Sequence, residues 1–206
     1  MKTANHTTLP FYLSEEDPPA KQAILKAALQ LFVRDGLRET SIRTIGDAAG
    51  YSNPALFKHF ASKEDLALYL FERCYLCYAT AIKAAVMEEA ALTQNIRAIL
   101  QRFAQLYDED ADSFLYMQEN LRVFWPKCKD RLRHQHSIIA TVRRLLARAQ
   151  ATGEARTDIH IDLMVAAFSG FLSQFARQIY FGELKGKAVD WVDEMQNLTM
   201  ALIRPA

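Results

Sequence analysis

The chain reads as an all-α protein: a compact N-terminal three-helix head, a long fourth helix and a C-terminal helical body. Three observations lead there. Only seven glycines and six prolines interrupt 206 residues. Runs of β-branched residues, the usual mark of strands, are nearly absent. Apolar residues return at three- and four-residue steps along most of the chain, the period of one helix face. Half of the residues are hydrophobic, and a chain this long buries enough surface to need no disulfide staples.

Residues 1–19 hold Pro10, Pro18 and Pro19 with an acidic cluster at Glu15, Glu16 and Asp17. They are expected to form a flexible N-terminal arm. Lys2 and His6 are its only basic side chains, a thin basis for a minor-groove contact.

The head is expected to occupy residues 20–65. A first helix from Pro19 to Asp35 buries Ile24, Ala28, Leu31 and Phe32, with Leu25 and Leu29 widening the stripe, and Gly36 stops it. Thr40 or Ser41 then caps a second helix and leaves N–H groups where a phosphate can bind. Ile42, Ile45, Ala48 and Ala49 fall on one face of that helix, and Gly50 ends it. Ser52 can cap a third helix, and Pro54 sits in its first turn, where a missing N–H costs nothing. Leu56 and Phe60, four apart, turn this helix back on the second. Helix, glycine-containing turn, helix is the helix-turn-helix pattern, whose second helix enters the major groove. The outward positions Ser52, Asn53, Ala55, Lys58 and His59 are short, polar or basic. No carboxylate lies between Gly50 and Ser62 to repel a phosphate.

The run from Lys21 to Leu66, KQAILKAALQLFVRDGLRETSIRTIGDAAGYSNPALFKHFASKEDL, resembles the DNA-binding head of the TetR family of bacterial transcriptional regulators. Gly36, Thr40, Ala49, Gly50, Ser52, Leu56, His59, Phe60, Ser62, Lys63 and Glu64 carry the match. The resemblance implies phosphate contacts from Lys63 and His59. It also exposes a departure: the family commonly has tyrosine where this chain has Phe57, so one hydroxyl–phosphate bond is lost while the packing is kept. Base reading is expected from Arg43, Ser52, Asn53, Ala55 and Lys58. A basic side chain addresses guanine edges, while Ala55 and the Pro54 ring can meet a thymine methyl.

The fourth helix opens at Ser62 with Asp65 in capping-box spacing. Leu66, Leu70, Cys74, Cys77, Ala81 and Ala85 form its expected stripe. Residues 66–206 form the expected effector-binding and dimerisation body. Thr93 is expected to cap a segment bearing Ile96, Leu100, Phe103 and Tyr107, and a turn through Asp108–Asp112 leads to Phe114, Met117, Leu121 and Phe124. Pro126 ends that helix or opens another, which carries Leu132, Ile139, Val142 and Leu146 as far as Ala151, and Gly153 breaks it. Ile161, Val165, Phe168, Leu172, Phe175 and Ile179 then repeat in alternating steps, beside the small Ala166, Gly170 and Ser173. Trp191, Met195, Leu198 and Leu202 add a second stripe. Two such stripes suggest an isologous dimer through the last two helices, at Val165, Phe168, Gly170, Leu172, Trp191, Met195, Leu198 and Leu202. The resemblance implies the same four-helix interface, and repression relieved when a small molecule binds the body.

Candidate lining for that effector is Cys77, Phe103, Tyr107, Met117, Leu121 and Phe171, each of which fits core packing equally well. His134 and His136 sit in a basic stretch with Lys127, Lys129, Arg131, Arg133, Arg143, Arg144 and Arg148, which reads as a solvated face or an anion site. Cys74 and Cys77, three apart in the apolar stripe without a nearby carboxylate or histidine, read as core thiols rather than metal ligands.

Bulk charge is near neutral at +1, so a nucleic-acid partner must be met by a local patch; the head itself has seven basic residues against five acidic between Lys21 and Asp65. Three cysteines without paired spacing suit a reducing cytoplasm, and neither a leader nor a membrane span is evident, so a cytoplasmic protein is expected. No phosphate loop, metal-ligand spacing or nucleophile motif is present, so neither catalysis nor a cofactor is expected. The competing reading is a helical ligand-binding or interaction protein whose head no longer reads DNA.

Overall fold

The computed structural model describes residues 9–205, except for the side chains of residues 133–136, so His134 and His136 lie outside the described side chains. Every regular element among the described residues is a helix. The α-helices are α1 (Pro19–Asp35), α2 (Ile42–Ala49), α3 (Asn53–Phe57), α4 (Lys63–Ala85), α5 (Leu92–Glu109), α6 (Ala111–His136), α7 (Ile138–Ala151), α8 (Ile161–Tyr180) and α9 (Val192–Ile203), with a 3-10 turn at Ala188–Trp191. No described helix is long and apolar enough to cross a membrane. The chain divides into two compact units: Met1–Cys77 with Asp112–Phe124, and Tyr78–Ala111 with Trp125–Ala206.

In the first unit α1, α2 and α3 pack on one another around Ile24, Leu25, Ala28, Phe32, Ile45 and Leu56. Tyr116 of α6 closes this core: its ring stacks on Phe32 and its hydroxyl donates 2.7 Å to the Ala67 carbonyl. A free arm was expected up to residue 19, but from Leu9 onward the segment is tied down. Tyr12 and Leu13 are buried, Arg73 Nε donates to the Tyr12 carbonyl at 3.0 Å, and the Cys77 thiol donates to that of Phe11. The two apolar side chains give the proline-rich segment burial that its acidic cluster obscures. Residues 1–8 lie outside the described residues.

The second unit joins α5 to α9 and the 3-10 turn, and α7 to α8. Asp108 accepts from the backbone N–H groups of Ala188 and Val189, at 2.7 and 3.0 Å. Tyr107 donates 2.6 Å to the Ala176 carbonyl. The buried Asn95 closes the loop before α5 by donating to the Met87 and Ala90 carbonyls and accepting from Met87 N–H.

Several boundaries differ from expectation. Helix α5 starts at Leu92 rather than behind a Thr93 cap; Ala91 has no side-chain acceptor, and Glu154 receives the Leu92 N–H at 2.7 Å instead. The turn expected over Asp108–Asp112 shrinks to Asp110. Pro126 neither ends nor opens a helix but lies inside α6, where neighbouring packing outweighs the single lost bond; Cys128 and Phe124 on either side of it are 1% exposed. The break falls at Ser137 instead, whose hydroxyl accepts from Ala140 N–H and caps α7. Along α4 the buried line runs Leu66, Leu70, Cys74, Tyr78, Ile82, so Cys77 and Ala81 sit to one side of it. Ala48 and Ile139, both expected inward, are exposed.

Candidate nucleic-acid interface

The interface is built by α2, α3 and the ends that hold them. Ser41 adopts an extended backbone, and its hydroxyl accepts from Thr44 N–H at 3.0 Å, so Ser41 and not Thr40 caps α2. Thr40 is 2% exposed and its hydroxyl bonds the Gly36 carbonyl at 2.8 Å, which takes it out of reach of a phosphate. Gly50, at φ 75°, ψ 26°, makes the left-handed exit from α2. Inside α2, Gly46 lets the chain fold back tightly: a Cβ there would stand 2.7 Å from the Tyr51 carbonyl oxygen. Tyr51 N–H in turn bonds the Gly46 carbonyl at 2.9 Å.

That fold-back aims α3. Leu56 and Phe60 are buried beneath it, while Ser52, Asn53, Pro54, Phe57 and Lys58 are exposed; Ala55 and His59 are half-buried. The expected reading face is therefore presented as one surface. Phe57 is half exposed, an apolar ring in a polar setting. On α2, Arg43 projects into solvent with 84% of its side chain exposed, and its nearest anion is Asp47 at 3.9 Å. An exposed pair at that distance is weak and screened, so it leaves the guanidinium available.

Lys63 behaves differently from expectation. Its ammonium donates to the carbonyls of Leu37 at 2.8 Å, Arg38 at 3.3 Å and Thr40 at 2.9 Å. Spacing could not reveal this, because the acceptors are backbone atoms more than twenty residues earlier. The signal available was the turn itself, whose carbonyls need donors.

The effector candidates divide between the units. Cys77, Met117 and Leu121 fall in the first, and Phe103, Tyr107 and Phe171 in the second. Phe103 and Tyr107 stack with centroids 6.2 Å apart and are buried, Met117 is buried, Phe171 is half-buried, and Leu121 is exposed. Burial raises the Cys77 thiol pKa above the usual range despite Arg73, so it is not a thiolate at neutral pH. Among the described residues no disulfide is formed, and no group of three histidine, cysteine or carboxylate side chains could hold a metal.

A capped helix, a glycine-governed turn and a second helix baring a carboxylate-free face define a helix-turn-helix DNA-binding regulator. The family model described as bacterial regulatory proteins, tetR family, matches residues 24–70. The HTH-type transcriptional activator FasR of Mycolicibacterium smegmatis is 27% identical over 159 residues, covering 77% of this chain and 64% of that protein. The HTH-type transcriptional repressor AcnR of Corynebacterium glutamicum is 27% identical over 198 residues, 90% of this chain and 93% of its own length. A tetR family transcription regulator from Shewanella sp. PV-4 superposes with a TM-score of 0.72 at 26% identity, over 91% of this chain and 99% of its own. The chain is thus similar over most of its length to transcriptional regulators of the tetR family, and its residues 24–70 match that family's model.

Proposed function

We propose that the protein is a homodimeric repressor that covers a palindromic operator and leaves it when a small-molecule effector binds the helical body. The observation that carries the DNA half of this reading is the α3 surface. Ser52, Asn53, Pro54, Phe57 and Lys58 are exposed together, with no carboxylate from Gly50 to Ser62. Within it, Asn53 and Lys58 address base edges, Pro54 and Ala55 meet thymine methyls, and His59 and Arg43 stand at phosphates or flanking bases. Phe57 meets sugar or methyl surface, since it has no donor for a phosphate.

The dimer reading rests on α8 and α9. Leu163, Ala166, Gly170 and Phe181 are exposed along one side of α8 and its end, and Leu198 is exposed on α9. Of the residues expected at the interface, Val165, Phe168 and Met195 are at most 3% exposed in the single chain, so they fill its own core; Leu172, Trp191 and Leu202 are half-buried. The dimer is thus proposed to close through the opposite, exposed side of α8. Two heads about 34–36 Å apart would then read two half-sites on one face of the duplex. An effector releases such a dimer only by binding one spacing of the heads better than the other. FasR is named an activator and AcnR a repressor, and repression is the reading supported by the greater shared length with AcnR.

Selection from a random duplex pool by the purified protein, at low and near-physiological salt, tests this. An enriched palindrome, released by cellular metabolite extract, supports the repressor. Absence of enrichment with and without extract would leave the interaction-protein reading standing.

A further inference from the structure

We infer that Lys63 is a positioning residue that holds the reading helices in place, and not a phosphate contact. The inference rests on the DNA-binding reading for one of its two readouts. An ammonium carries three N–H donors and no acceptor. In this structure all three have partners, the carbonyls of Leu37, Arg38 and Thr40, at 2.8, 3.3 and 2.9 Å. These carbonyls converge from the turn between α1 and α2, which no regular ladder satisfies.

The turn is the foundation of α2. Thr40, whose carbonyl Lys63 holds, immediately precedes the Ser41 cap, and its side chain is anchored on the Gly36 carbonyl at 2.8 Å. Lys63 is itself fixed, as the first residue of α4, by Ser62, whose hydroxyl accepts from Asp65 N–H at 3.0 Å. The start of α4 is thereby fastened to the start of α2. The close approach of Gly46 to Tyr51 carries that placement on to α3. Were the ammonium to leave for a phosphate, three carbonyls of the turn would lose their charged donor, and the surface that reads DNA would lose its footing.

The test uses the full chain, with Lys63→Met, which keeps the apolar stem and removes the donors, and Lys58→Ala as the comparison. Operator affinity is measured against salt at a temperature where circular dichroism shows each variant fully folded. Amide hydrogen exchange is followed over residues 37–45. Positioning predicts that Lys63→Met weakens operator binding by about tenfold or more, as expected for a lost charge-assisted bond. Its salt slope stays at the unsubstituted value, and exchange over 37–45 accelerates. Lys58→Ala, which loses a base contact, should also weaken binding with exchange unchanged, whereas loss of one phosphate contact lowers the slope by about 0.9.

A Lys63→Met slope lowered by that amount, with exchange unchanged, would overturn the inference in favour of a phosphate contact. Faster exchange with unaltered operator affinity would overturn it in favour of a structural role alone. If the unsubstituted protein selects no operator, the DNA reading fails on its own, and exchange still decides the clamp: no acceleration refutes it. Should Lys63→Met not fold, Lys63→Arg replaces it, since a planar fork keeps the charge without the three convergent donors.

Discussion

Phe57 and Gly46 show how single side chains set the head's chemistry. Phe57 is half exposed and brings no donor to a surface where phosphates are expected. Phe57→Tyr should tighten operator binding by about threefold to tenfold, the worth of one neutral hydrogen bond. The salt slope should not move, because a neutral hydroxyl displaces no counterion. A weaker complex in the binding assay would mean that the ring edge is packed and cannot accept an oxygen. Gly46→Ala acts on the scaffold instead: its Cβ would meet the Tyr51 carbonyl, backbone rather than a yielding side chain, at 2.7 Å. Urea unfolding should show a loss of about 1–3 kcal/mol, the usual cost of overpacking. Residue types and spacing made the outward face of α3 legible, because alternation between buried Leu56 and exposed Lys58 is a local property of one helix. The commitment of Lys63 and Thr40 to backbone carbonyls was not legible, since a polar side chain reads alike whether it faces solvent or folds back.

Helix ends follow the same division between local and distant causes. Helix α1 runs from Pro19 to Asp35 as its pattern demanded, with proline at its start and Gly36 beyond its end, and Ser62 caps α4 within three residues. The start of α5 could not be found this way, because its cap comes from Glu154, sixty-two residues later. The Leu92 N–H, with help from the Thr152 hydroxyl, holds the Glu154 carboxyl below the usual range. A folded-state pKa below the unfolded one gives stability that is complete above the ordinary glutamate value of about 4.3 and fades as pH falls through the folded value. Glu154→Gln should therefore lower the melting temperature at pH 7, and the gap to the unsubstituted protein should narrow as pH falls below about 4. A gap that stays constant with pH would mean that the carboxylate charge contributes nothing at that helix end. Pro126 shows the converse failure: a strong local breaker lies inside α6, because flanking burial at Phe124 and Cys128 outweighs it.

At the scale of the whole molecule, regulation through a palindrome requires two copies, and the outer side of α8 is where pairing is proposed. Leu163, Phe181 and Leu198 leave 64, 71 and 59% of their surface exposed, with Gly170 permitting close approach of a partner helix. Heptad-like spacing was read correctly as helix packing, yet periodicity cannot say whether a stripe meets its own chain or another; Val165 and Phe168 went inward. Two variants separate the cases. Leu163→Glu combined with Leu198→Glu places charges on the exposed side, and sedimentation should show a folded species of half the mass. Its operator affinity should fall by about a hundredfold or more, because the second head no longer binds at the high effective concentration that linkage provides. Phe168→Glu, by contrast, buries a charge at a site 3% exposed and should lose helical signal and the cooperative transition. If the double variant remains dimeric with undiminished affinity, pairing must use another surface. If it becomes monomeric with affinity intact, one head suffices, and release by changing the spacing of two heads is no longer a tenable mechanism.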